Sequence, residues 1–232
     1  IDPALLSSIQ LLSGYNKIGL VTTVQHVQTL DTARELLTRA GKTIIIGDSG
    51  KVNYPGQVIG CNYSNVKSIS SEVEAFLFIG GGKFHALGVA LAAAKPTIVA
   101  DPYAQTAYEI QSEIQKIIKQ QYASIEEAQR AKTFGVLVSL KPGQKRLAEA
   151  LKIKATLEKM GKTAYLLAVR EVLPEILNDF PTIDAFVNTA CPRISLDDAS
   201  KFNKPVLTIN EFLVVSGEST WKEILKEGLF EK

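Results

Sequence analysis

Four segments of this 232-residue chain gather residue types that can hold or activate a ligand. Residues 56–64 read GQVIGCNYS, with Cys61 directly after Gly60. Glycine lets the backbone approach a bulky group closely, as a cysteine presented to a metal cluster requires; the loop equally suits a small buried thiol beside a tight turn. Residues 78–88 read FIGGGKFHALG, a strand running into Gly80, Gly81 and Gly82 and then a helix. Consecutive glycines at such a turn expose N–H groups to a carboxylate or phosphate, and His85 either joins that site or caps and packs the helix start. Residues 188–198, NTACPRISLDD, place Cys191 ahead of Pro192. Arg193 there can pair bidentately with a carboxylate and Asp197 can hold an amine, or the two form an exposed ion pair at a helix start. In SLKPGQKR, residues 139–146, Gln144 offers a polar contact, although Pro142-Gly143 is also ordinary turn chemistry.

Short β-branched runs bounded by Gly and Pro predict strands over 17–24, 43–46, 74–79 and 97–100, then again over 133–139, 163–169, 185–188 and 206–209. Amphipathic helices are expected between them, over 30–40 with Gly41 ending it, over 86–94, and over 144–160 with Gly161 ending it. The two series superpose. Ala40-Gly41-Lys42-Thr43 matches Met160-Gly161-Lys162-Thr163, displaced by 120 residues, and Val73-Glu74-Ala75-Phe76 matches Ile183-Asp184-Ala185-Phe186, displaced by 110. Lys95-Pro96 matches Lys204-Pro205, displaced by 109. Three ordered matches point to a duplicated α/β domain with a parallel sheet covered on both faces. The expected division is 1–120, carrying Cys61, and 121–232, carrying Cys191, with residues 105–132 as closing helices and connector. Under the displacement of 110, Cys191 aligns with Gly81, so one copy presents a thiol where the other presents glycine. Ligands of such sheets bind beyond the carboxyl ends of the strands, where all four segments fall.

Composition narrows the function classes. Lys and Arg number 26 against 24 acidic residues, giving a formal net charge of +2 without a basic tract, which argues against direct nucleic-acid binding. No apolar run reaches the roughly 18 to 20 residues that span a bilayer. Two cysteines do not make a secreted disulfide framework, so reduced thiols and a cytoplasmic setting are expected. Only two histidines and no carboxylate cluster argue against a zinc hydrolase, and neither a phosphate-binding P-loop nor a nucleophile elbow is present. Two separated cysteines leave a four-iron cluster short of ligands.

The four motifs, in this order and spacing, resemble the archaeal diphthamide biosynthesis enzymes over essentially all 232 residues. The resemblance implies three related α/β domains in pseudo-threefold array around one [4Fe-4S] cluster, with one cysteine from each. This chain would be the second and third domains, with Cys61 and Cys191 as metal ligands and the third cysteine elsewhere. The opening Ile1-Asp2-Pro3 fits that expectation of a shortened or processed chain. The implied chemistry is a noncanonical radical cleavage of S-adenosylmethionine that transfers a 3-amino-3-carboxypropyl group to a histidine of translation elongation factor 2, in a homodimer. Gly80, Gly81, Gly82, His85, Gln144, Arg193 and Asp197 are the expected cofactor contacts, and no catalytic acid or base is assigned. Two other readings stand beside it: a quinolinate synthase-like dehydratase, also three domains around a three-cysteine cluster, and a non-catalytic α/β binding module.

Overall fold

The computed structural model describes residues 2–230, except the side chain of Asp2. The chain forms two compact units, one running up to Gln115 and including Glu227–Phe230, the other Lys116–Lys226. In the first, α1 (Asp2–Leu11), β1 (Lys17–Thr22), a 3-10 turn (Val24–Thr29), α2 (Leu30–Arg39), β2 (Thr43–Ile45), α3 (Ser64–Ile69), β3 (Ala75–Ile79), α4 (Phe84–Ala93), β4 (Thr97–Asp101) and β5 (Thr106–Glu109) follow in order. The sheet order is β2-β1-β3-β4-β5, with β5 alone antiparallel to its neighbour. The unit boundary falls within α5 (Gln111–Arg130). The second unit continues with β6 (Thr133–Ser139), α6 (Leu147–Lys159), β7 (Thr163–Val169), α7 (Pro174–Asn178), β8 (Ala185–Asn188), α8 (Pro192–Asp197), a 3-10 turn (Ala199–Lys201), β9 (Val206–Leu207), α9 (Ile209–Val215) and α10 (Trp221–Glu227). Its sheet is wholly parallel in the order β7-β6-β8-β9. Mixed α/β units built on parallel sheets are the fold class expected.

Period-two alternation fills both faces of each sheet. In the first unit Ile18, Leu20, Ala75, Leu77, Ile79 and Ile98 pack with Leu5 of α1, Leu12 just past its end, and Ala33 and Leu37 of α2. In the second, Phe134, Val136, Val138, Ala185 and Val187 pack against Ile153 and Leu157 of α6, while Leu137, Val169, Phe186 and Val206 form the core of the other face. Each large aliphatic or aromatic side chain so buried stabilises by about 1.5–3 kcal/mol. Residues Glu227–Phe230 return to the first unit, where Leu229 N donates to Leu91 O at 2.7 Å and Gly228, at φ 92°, lies against the Ala92 carbonyl.

The sequence repeat acquires a physical content here. Glu74 accepts the N–H groups of Asn16 and Lys17, and Asp184 accepts those of Lys132 and Thr133, so each carboxylate pins the entry to the first strand of its sheet. Those backbone donors hold both carboxyls below their ordinary values. Lys42 donates to the carbonyls of Leu12 and Tyr15, and Lys162 to those of Gln129 and Ala131. Gly41 and Gly161 take φ of 82° and 75° to leave their helices. Gly19 pairs with Phe76 and Gly135 with Phe186, and the phenylalanine ring occupies the space a Cβ would need.

Four expected elements differ. The strand expected over 17–24 stops at Thr22, because Val24 opens the 3-10 turn. Residues 105–132 are not helical throughout, because Gln105 adopts φ 55° and the chain turns back as β5, pairing Tyr108 with Val99. The strand expected over 206–209 stops at Leu207, since Thr208 caps α9 through a reciprocal bond with Glu211. The helix expected from Gln144 begins at Leu147. Among the described residues no helix is long and apolar enough to cross a membrane.

Glu211 is fully buried, and burial pushes its carboxyl up to about 7 against the opposing bonds from Thr208. A raised acid contributes stability that is complete below the unfolded value of 4.5 and is lost as pH rises through about 7. Glu211→Gln keeps an acceptor for the Thr208 N–H and removes the ionisation. We predict that denaturant titrations will show it more stable than the parent at pH 8 by about 2–3 kcal/mol, with the gap closing by pH 5. A pH-independent difference would place the proton elsewhere.

Candidate functional site

In the first unit, Gly56 at φ 69° bends the chain after β2 so that the following residues lie along the end of β1. Thr22 N donates to Gly56 O at 2.9 Å and Val58 N to Thr22 O at 2.8 Å. Ile59 and Asn62 then bridge antiparallel, which leaves Gly60 and Cys61 at the tip of a tight turn with the thiol exposed. A Cβ on Gly60 would come within 2.8 Å of the Phe84 ring, so the Cys61 turn lies against the first residue of α4. The structure thus brings the Cys61 loop beside the glycine loop.

Gly80 N donates to Ala100 O at 3.1 Å, and Gly81 and Gly82 are exposed. Asp101, at the end of β4, fixes this loop. Its carboxylate accepts from Gly82 N at 3.3 Å, Tyr103 N at 2.9 Å and Ala104 N at 3.1 Å. Burial works against its charge, but these donors outweigh burial and hold the carboxyl below its ordinary value. His85 is half-buried, with its ring stacked 6.1 Å from Phe78 and edge-on 5.0 Å from Phe84.

In the second unit, Cys191 is half-buried at the N-cap of α8, where Pro192 opens the helix. Asn188, buried at the end of β8, shapes this turn: its Nδ2 donates to Cys191 O at 2.9 Å and Ser195 Oγ at 3.1 Å, while its Oδ1 accepts from Ala190 N at 2.9 Å. Thr189 Oγ1 donates to Leu137 O at 2.7 Å, and Gln121 of α5 donates to Ser195 O at 2.9 Å. Arg193 and Asp197 face each other, Nε to Oδ2 2.7 Å, with Arg193 only 4% exposed. Burial raises the Asp197 carboxyl above its ordinary value, against the pull of Arg193. Gln144 is half-buried on the loop after β6, which Gly143 at φ 77° and the Lys141–Glu171 ion pair shape.

Both cysteines are free thiols on loops beyond carboxyl strand ends, and thiolate is the donor chemistry of iron–sulfur sites. The donor type fits such a cluster. Among the described residues no three His, Cys, Asp or Glu groups gather to complete a metal site. Asp101 was missed because its strand was expected to end at Ala100, and so was Tyr103, whose ring lies against Gly81; Asp-Pro-Tyr after a buried strand is the signal that marks these two, whereas His26, edge-on to Tyr103, carries no local signal.

A family model described as putative diphthamide synthesis protein matches residues 2–226. The 2-(3-amino-3-carboxypropyl)histidine synthase of Pyrococcus horikoshii is 42% identical over 213 residues, covering 90% of this chain and 60% of that protein. Subunit 1 of the Mus musculus synthase is 31% identical over 230 residues, covering 96% of this chain and 50% of the relative. The crystal structure of Dph2 from Pyrococcus horikoshii with a 4Fe-4S cluster aligns with a TM-score of 0.82 at 40% identity, over 93% of this chain and 62% of that one. The chain therefore spans about half to three-fifths of these relatives' length. The framework residues, the two cysteine loops and this likeness agree, and the chain belongs to the diphthamide synthesis protein family.

Proposed function

We propose that this chain is part of a transferase that places a 3-amino-3-carboxypropyl group from S-adenosylmethionine on one histidine of translation elongation factor 2. Cys61 and Cys191 are proposed as two thiolate ligands of a [4Fe-4S] cluster, with a third ligand from outside these 232 residues. The supporting observation is that the chain's two cysteines are both free and both stand on strand-end loops, in a family with a cluster-bearing relative. When bound and reduced, the cluster supplies the electron that breaks a carbon–sulfur bond of S-adenosylmethionine. The whole protein is proposed to work as a cytoplasmic homodimer.

The chain's own residues bind and orient. Gly80, Gly81 and Gly82 are proposed to line the methionine side; Gly80 N and Gly82 N are held by Ala100 O and Asp101, so the loop offers close backbone approach, with the Gly81 N–H as its donor. Arg193 is proposed as a second carboxylate contact and Asp197 as the acceptor for the amino group; their mutual pairing pre-orients both side chains. Gln144 and His85 complete the proposed contacts. Asn188 and Gln121 act through the backbone of the Cys191 turn, holding it before any ligand arrives.

In the full-length protein, Cys61→Ala and Cys191→Ala are each expected to lose most of the iron and acid-labile sulfide taken up during anaerobic reconstitution. Parent-level iron in either variant removes that cysteine from the ligand set. Arg193→Ala is expected to weaken S-adenosylmethionine binding about 10-fold or more, from the loss of a charge-assisted bond of about 1.5–3 kcal/mol, while cluster absorbance is unchanged. Arg193→Lys keeps the charge without the fork and should fall between. Unaltered binding in Arg193→Ala would remove Arg193 from the ligand contacts.

A further inference from the structure

We propose that Tyr103 and His26 form a platform for the purine ring of an adenosyl group at the carboxyl edge of the first unit's sheet, an inference that rests on the S-adenosylmethionine reading above. Tyr103 stands on the turn joining β4 to β5 and is 72% exposed. The backbone beneath it is fixed, because Tyr103 N and Ala104 N both donate to Asp101 and Gln105 closes the turn at φ 55°. The ring lies over Gly81, where a Cβ would come within 2.7 Å of its Cδ2. Beside it, a Cβ on Gly82 would meet nothing within 4 Å. An exposed aromatic face on a fixed backbone turn, with open space next to a glycine loop, is what a flat ring stacks on, for about 1–3 kcal/mol per base.

His26 supplies the polar half. Its ring is edge-on to Tyr103, with centroids 5.6 Å apart and planes at 66°. Its Nε2 is buried and has no hydrogen-bond partner among the described residues, a state that costs about 1–3 kcal/mol. No hydrogen bond holds the Tyr103 hydroxyl among the described residues, and in the proposed complex a change of its exposed side chain's rotamer uncovers that nitrogen to the ligand. The charge balance selects the class of ligand. Asp101 is engaged by three N–H donors and Lys83 by Glu113. The site is thus electrically committed, and a neutral heteroaromatic ring with a hydrogen-bonding edge suits it better than a charged headgroup. A purine supplies both the face for Tyr103 and the edge for His26.

The test is equilibrium binding of two separate probes, 5′-methylthioadenosine and L-methionine, to the chain and to Tyr103→Ala, Tyr103→Phe and His26→Phe. Tyr103→Ala is expected to weaken 5′-methylthioadenosine at least about 10-fold and Tyr103→Phe by no more than about twofold. His26→Phe keeps the edge contact, loses the nitrogen, and should cost about fivefold. Methionine binding should not change in any variant. The platform is overturned by 5′-methylthioadenosine binding that is absent in the parent, by binding that is as tight in Tyr103→Ala as in the parent, or by a parallel loss of methionine. Tyr103-sensitive nucleoside binding supports the platform even where the full-length protein fails to cleave S-adenosylmethionine, an outcome that instead removes the transferase reading.

Discussion

Parallel strands are the constraint from which the rest of each unit follows. A parallel pair cannot be closed by a tight hairpin, so a crossover covers each face and the strands between are buried on both sides. The interiors of β3, β6 and β8 accordingly hold aliphatic and aromatic residues, with little room for a polar side chain. Chemistry is left to the carboxyl edge, where the chain is released from the ladder. Thr22, Asp101, Asn188, Thr189 and Thr208 all sit at or just past a strand end, and each spends its polar atoms on fixing a loop. Such loops are held by buried hydrogen bonds, so a ligand meets a surface that is already shaped.

Duplication separates what the scaffold needs from what the site needs. Glu74 and Asp184, Lys42 and Lys162, and Gly19 and Gly135 do the same work in each copy, and the work is mechanical: pinning a strand, closing a helix, making room for a ring. The copies part company at the carboxyl edge. Gly81 and Cys191 each stand five residues after the matching phenylalanine, yet one makes room for the Tyr103 ring and the other presents a thiol. Beyond the fourth strand, one copy turns back through Tyr103 into β5, while the other caps a helix with Thr208 and Glu211. Divergence at the strand ends is what a common frame allows, because the loops there carry little of the core.

Much of the frame was legible in the sequence because its signals are local. The strands over 133–139, 163–169 and 185–188 have the limits that β-branched composition and flanking turns suggested. The alignments at Gly41 and Gly161 and at Glu74 and Asp184 anticipated equivalent positions before their bonds were visible. Less legible was whatever depends on a partner distant in sequence. Tyr108 and Ile110 fit a helical period, and only the pairing of Tyr108 with Val99 shows a strand. Thr208 continues a β-branched run, but its bond to Glu211 makes it a cap. Arg193 and Asp197 were legible as an ion pair at a helix, whereas the burial of Arg193 follows from packing that no local pattern encodes.

We propose that the two free thiols on strand-end loops belong to a site that uses S-adenosylmethionine as an aminocarboxypropyl donor. The most direct test is mass spectrometry of elongation factor 2 after incubation with the reduced full-length protein and S-adenosylmethionine. A 3-amino-3-carboxypropyl adduct on a single histidine is expected, with an equal amount of 5′-methylthioadenosine released. An unmodified factor alongside 5′-deoxyadenosine, or no cleavage under reducing conditions that load the cluster, would contradict it.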